Sequence, residues 1–264
     1  MPNGHNGHLG VEVVCFDAMF TLIEPRGTKD ELLTRILHDE AGFRITPAEL
    51  AEVIQGFRRA HPRAGEDMSR YWPRMNRILL HQLGVKGNLW AIARRMHDRV
   101  LTDVNLYEVR ADMRSLLQWA SAENIAIAMV SNQRHRTLRR LLQELRINRH
   151  FVGRVLTSSR MQHPKPSRRF FVAVSRALSL RHMRQMALVG NSIENDAPAT
   201  MFGIRVAILD RSGALFNVSA LQAGVTPVRS PVEVREWITL VRNHQPEKCE
   251  EEEGESCVAI AGSR

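Results

Sequence analysis

Short apolar runs alternate with longer amphipathic stretches over most of the chain. Residues 11–17, VEVVCFD, read as a buried strand that ends on a bare carboxylate, Asp17. KDELLTRILHDEAGF (29–43) then places Leu32, Leu33, Ile36 and Leu37 on one helical stripe. Thr46-Pro47 opens the next segment, AELAEVIQGFRRAH, with a hydroxyl at the N-cap and proline in the first turn. YWPRMNRILLHQLG and NLWAIARRMHDRVL are further amphipathic segments, so residues 28–102 predict a run of helices with no strand. The rhythm changes near residue 108. RADMRSLLQWASAEN, RTLRRLLQELRI, SRRFFVAVSRALSL and PVEVREWITLVRNH have helical spacing, and DAPATMFG reads as a brief helix ended by Gly203. Between them lie IAIAMVSN (125–132), FVGRVLTSS, MALVGN (186–191) and IRVAILD, each the length of a buried strand.

Strands that alternate with helices predict an α/β fold, a doubly wound parallel sheet with right-handed crossovers. The expected division is a core of 11–24 and 107–244, an inserted all-helical domain over 25–106, a flexible leader at 1–10 and a disordered acidic tail at 245–264. The chain of 264 residues carries 37 Lys and Arg against 28 Asp and Glu. That excess attracts anions, but no zinc-finger spacing or basic zipper points to nucleic acid, and small phosphorylated or otherwise anionic substrates are the expected partners. The three cysteines are too few for a disulfide framework, and no apolar stretch approaches membrane-spanning length. A cytoplasmic location is the expectation; the oligomeric state is left open.

In an open parallel sheet, ligands bind where strand carboxyl ends meet helix starts. The apolar runs deliver Asp17, then Ser131 and Asn132, then Gly190, Asn191 and Asp196; Lys165 stands in HPKPS between two prolines. Singly, each suits a turn, a cap or the surface. Together, a nucleophilic carboxylate, a hydroxyl, an ammonium and a second carboxylate suit phosphoryl transfer through an aspartyl intermediate. Mg²⁺ takes oxygen ligands, which Asp17, Asp196 and Asn191 offer. Ser131, Asn132 and Lys165 are the candidates for holding the transferred group, helped by amides at the start of the following helix.

The chain resembles the haloacid dehalogenase superfamily of hydrolases over about 11–245. VVCFDAMFTL resembles the first motif, with Asp17 at the nucleophile and Thr21 at its threonine. IAIAMVSN resembles the second through Ser131, HPKPSRRFF the third through Lys165, and ALVGNSIENDAPATMFGIRVAIL the fourth through Asp196. The resemblance implies that the helical insert is a cap that selects substrate, that Thr21 orients the loop and that the Met19 carbonyl joins the metal ligands. Arg58, Arg59 and Arg63 are then candidates for meeting an anionic substrate from the cap.

Two departures bear on activity. Phosphatases of the superfamily carry an acid two residues after the nucleophile, and here that residue is Met19; loss of a general acid costs on the order of 10²- to 10⁴-fold. Asn191 replaces the first acid of the fourth motif. Three readings follow: a phosphatase whose leaving group needs no proton, a 2-haloacid dehalogenase, or a phospho-ligand- or partner-binding protein with impaired turnover. Against the second, Phe171 stands where a hydroxylated aromatic is expected.

Overall fold

A computed structural model describes residues 10–60, 68–211 and 224–243, apart from the side chains of 58, 59 and 68–70. The leader before Gly10, the acidic tail and the side chains of Arg58, Arg59 and Arg63 lie outside the described residues. Strand β1 (Val13–Phe16) runs into β2 (Glu24–Pro25). Four helices follow, α1 (Lys29–Ala41), α2 (Pro47–Ala60), α3 (Met68–Gln82) and α4 (Leu89–Thr102). The chain returns through β3 (Tyr107–Glu108) and α5 (Ala111–Ala122) to β4 (Ala126–Ser131) and α6 (His135–Glu144). It continues through β5 (Val155–Thr157), α7 (Ser158–Met161), α8 (Arg168–Ala177) and β6 (Met186–Gly190). A 3₁₀ segment (Ala197–Phe202), β7 (Arg205–Leu209), β8 (Val225–Val228) and α9 (Pro231–Asn243) complete it.

Six strands form one parallel sheet in the order β5-β4-β1-β6-β7-β8. The chain leaves β1 for β4 on one side and later crosses to β6 on the other, so β1 lies at the point where strand order reverses. Alternate residues face opposite sides of the pleat. Val14, Phe16, Ile127, Met129 and Val189 pack under α5, α6 and α9, while Val13, Cys15, Val130 and Leu188 pack under α8 and the 3₁₀ segment. Covering both faces explains why these strands are apolar throughout rather than alternating. Cys15 belongs to this interior, and burial pushes its thiol up to about 12, so it is a small hydrophobe rather than a reactive group.

Local signals start and stop the helices of the insert. Thr28 caps α1: its side chain accepts from the Glu31 amide at 3.1 Å, while the Glu31 carboxylate accepts from the Thr28 amide at 2.7 Å. Gly42, at φ 65°, ends α1 in the left-handed conformation. Thr46 and Glu49 repeat the reciprocal cap at α2. Buried Leu32, Ile36, Leu37, Leu50, Leu80 and Ile92 join the same apolar cluster as one face of the sheet. Tyr71 is buried, whereas Trp72 and Trp90 remain 40% and 50% exposed. The antiparallel pair β2–β3 (Glu24 opposite Glu108, Pro25 opposite Tyr107) ties together the points where the chain passes into and out of α1–α4. Among the described residues no helix is long and apolar enough to cross a membrane.

Candidate active site

The carboxyl ends of β1, β4 and β6 adjoin at the centre of the sheet, and the polar residues they carry form one buried cluster. Lys165 comes from the loop before α8; its Nζ donates to Asp17 Oδ1 and to Asp196 Oδ1, both at 2.6 Å. A lysine flanked by prolines reads as surface, yet Lys165 is only 4% exposed. Asn132 fixes its backbone from both sides: Oδ1 accepts from the Lys165 amide at 2.8 Å and Nδ2 donates to the Lys165 carbonyl at 3.1 Å.

Asp196 is the N-cap residue of the 3₁₀ segment, but its side chain makes no capping hydrogen bond. Its Oδ2 turns back to accept from the amides of Asn191 and Ser192, at 3.2 and 3.1 Å. That turn needs Gly190, because a Cβ there would fall 2.3 Å from Asp196 Oδ2. The glycine that ends β6 is therefore a space requirement of the buried acid.

The loop after Asp17 folds back on itself. The amides of Leu22 and Ile23 donate to the Ala18 carbonyl at 3.1 and 2.9 Å, and the Phe20 amide donates to the Ile23 carbonyl at 2.6 Å. Phe20 adopts φ 63°, a conformation that costs a residue with a Cβ roughly 1 kcal/mol or more. Its ring, 36% exposed, lies under the Lys29 ammonium at 5.5 Å. The buried Thr21 hydroxyl donates to Asn191 Oδ1 at 3.3 Å, which links this loop to the end of β6.

Ser131 is buried at the end of β4, and its hydroxyl accepts from the Gln133 amide at 3.2 Å, with no hydrogen bond to Asp17, Lys165 or Asp196 among the described residues. Helix α6 begins only at His135, so the amides after Ser131 belong to a turn rather than to a helix start. The Met19 side chain is half-buried and packs into the apolar cluster. With Val100 and Leu101 of α4 and Gln133, Thr137, Leu138 and Leu141 it lines a narrow crevice between α4 and α6.

The electrostatics follow from burial. Desolvation raises the Asp17 carboxyl from 3.8 to about 6; Lys165 opposes the rise and the neighbouring Asp196 adds to it. Burial works against the charged Lys165, but Asp17 and Asp196 outweigh it and hold its pKa above the ordinary value. One ammonium between two carboxylates leaves the cluster short of positive charge. A carboxyl with a raised folded pKa binds its proton more tightly folded than unfolded. Its stabilising contribution is thus complete below about pH 4 and is lost as pH rises through about 6. In chelator, the melting temperature of the wild type relative to Asp17→Asn is expected to fall across pH 4 to 6, worth at most about 3 kcal/mol. Calorimetry of the two proteins across that range checks it, and parallel curves would refute it.

A model of the haloacid dehalogenase-like hydrolases matches residues 11–200. The chain belongs to this family. Asp17, Ser131, Lys165, Gly190 and Asp196 all fall within that span. A search of curated proteins returned no match. Solved structures share the fold. The HAD-hydrolase YfnB from Bacillus subtilis, bound to magnesium, superposes with a TM-score of 0.72 at 14% identity, covering 87% of this chain and 99% of that one. A HAD family hydrolase from Deinococcus radiodurans, with bound phosphate and sodium, gives 0.64 at 15% identity, covering 88% and 97%. An L-2-haloacid dehalogenase gives 0.65 at 14% identity, covering 87% and 99%. The family's neighbours in fold thus include both a phosphate-bound hydrolase and a dehalogenase, and the choice between those chemistries rests on this chain's own residues.

Proposed function

We propose that this haloacid dehalogenase-like hydrolase is a Mg²⁺-dependent phosphatase that works through an aspartyl intermediate on Asp17. Its substrate is a small phosphate whose leaving group departs without taking a proton, such as an aryl or acyl phosphate. The observation that carries the reading is the buried Lys165 ammonium shared, at 2.6 Å each, by Asp17 and Asp196. A packed core has no use for three buried charges, whereas phosphoryl transfer needs a nucleophile whose position is fixed and a cation beside it.

The donor chemistry fits magnesium. Asp17, Asp196, the Asn191 side-chain oxygen and the Met19 carbonyl supply hard oxygen ligands and no sulfur or nitrogen. The excess carboxylate charge, and the burial that lifts Asp17 to about 6, both describe a pocket that a divalent cation would relieve. When bound, the metal supplies charge neutralisation for the phosphate. The remaining work falls to the chain. An Asp17 oxygen attacks phosphorus, the bond from phosphorus to the leaving oxygen breaks, and the leaving group departs as an anion. Water then cleaves the acyl phosphate and returns the carboxylate. Lys165 fixes Asp17 and draws charge from the transferring group, Asp196 anchors Lys165, and the Thr21–Asn191 bond steadies the loop. Ser131 and Asn132 border the phosphate side. Helices α1–α4 act as the cap that selects substrate over the site.

Met19 favours the unassisted leaving group over an alkyl alcohol, because a thioether neither gives nor takes a proton. The dehalogenase alternative lacks a hydroxylated aromatic: Phe171 is buried against Phe170 and Phe202. Purified protein is expected to hydrolyse p-nitrophenyl phosphate with Mg²⁺, to stop in EDTA, and to release no halide from 2-chloropropionate. Halide release without metal would replace this reading with the dehalogenase. Absence of both activities, with beryllofluoride still bound, would replace it with a phospho-ligand-binding protein.

A further inference from the structure

A cleft of about 540 Å³ opens beside α1 and the loop that joins it to α2, and it shares no residue with the Asp17 cluster. Three guanidinium groups, those of Arg26, Arg35 and Arg44, line it, and Phe43 and Ile45 form an apolar part of its wall. Little neutralises these charges. Among the described residues Arg26 has one long ion pair, 3.6 Å from Glu108, with both side chains about half exposed. Arg35 donates to the Arg26 carbonyl at 3.4 Å, which positions it without neutralising it. Arg44 makes no hydrogen bond or ion pair among the described residues. The one carboxylate in the wall, Glu31, is held by the Thr28 amide in the α1 cap.

Like charges that line one cleft with few counter-charges repel one another, and an anion bound among them reduces that repulsion. Guanidinium groups are suited to phosphate or carboxylate oxygens because their planar fork makes paired hydrogen bonds. A volume of this size accommodates a small organic molecule rather than an ion alone. The half-buried Phe43 and Ile45 offer a surface for an apolar or aromatic part. From these residues we infer a second ligand site in this protein, for a small molecule that joins a phosphate- or carboxylate-type dianion to an apolar group. It stands beside the crossing where α1–α4 join the sheet. Arg26 follows β2 directly, its amide donates to the Leu106 carbonyl at 2.8 Å, and its side chain faces Glu108 of β3. A bound dianion competes with Glu108 for Arg26, so occupancy is felt at that crossing.

The inference does not depend on the hydrolase reading, and its test uses no turnover. Isotope-labelled full-length protein is titrated in metal-free buffer with phenylphosphonate, which carries a ring and is not hydrolysed, and with inorganic phosphate, which lacks the ring. Saturable amide shifts are expected over residues 26–46, with phenylphosphonate bound at least 5-fold more tightly than phosphate. Arg44→Glu, a change at an exposed side chain, is expected to weaken phenylphosphonate at least 10-fold, and Arg35→Ala to weaken it as well. Shifts confined to 131–133 and 190–192 would overturn the inference, because the ligand would then occupy only the Asp17 cluster. Unchanged affinity in Arg44→Glu, or no saturable binding, would overturn it too.

Discussion

Exchanging Asp17 for Asn is expected to lower Mg²⁺-dependent hydrolysis of p-nitrophenyl phosphate by at least ~10³-fold while the protein stays folded. The amide has the shape of the carboxylate and can still accept from Lys165 Nζ. It is a poor nucleophile, however, and gives a metal ion less charge. Loss through unfolding is distinguishable from loss of chemistry because the exchange removes a charge that burial disfavours. The variant should therefore melt no lower than the wild type at pH 7 in chelator, where the wild-type carboxyl, raised to about 6, is largely ionised at a cost. Steady-state rates and melting curves measured on the same preparations decide the matter. A variant that keeps a tenth of the rate would remove Asp17 from the nucleophile role.

The second large effect runs the other way. Met19→Asp is expected to raise turnover of an alkyl phosphate by about 10²-fold, the lower part of the range for general-acid assistance. Aryl phosphate, whose leaving group needs little help, should change far less, so the alkyl-to-aryl ratio is the informative quantity. The substitution has a structural cost. Met19 is packed beside Val100, Leu101, Leu138 and Leu141 in the seam between α4 and α6. A neutral polar group left there without partners would cost about 1–3 kcal/mol and an ionised carboxylate more, which drives it to turn toward the polar side of the loop. Should the ratio stay constant in a variant that remains folded, proton delivery to the leaving group is not what limits this protein.

The apolar runs that became β1, β4, β6 and β7 were legible because each is covered on both faces and carries no interruption. β8 was not read as a strand: it is four residues long, contains Pro227 and is half-exposed over most of its length. The two-residue pairing of β2 with β3 was equally silent, since Glu24 and Pro25 have no strand periodicity and the partner lies more than eighty positions away. At the site, strand ends and motif order brought Asp17, Lys165 and Asp196 to attention, and their contacts through one nitrogen are geometry that the structure supplies. The support around them depends on three-dimensional proximity and leaves no local pattern. The Asn132 amide clasps the backbone of a residue 33 positions later. Gly190 is required by an oxygen of Asp196 rather than by its own turn. Helix α6 starting at His135, not beside Ser131, reflects the turn made by Gln133, which propensity does not anticipate.

The margins of the sheet have a consequence for self-association. β5 extends for only three residues, and β8 carries Pro227, which has no amide hydrogen to donate. Neither border is a good template for an additional strand, so end-to-end growth of the sheet into ribbons or fibrils is disfavoured at both extremities.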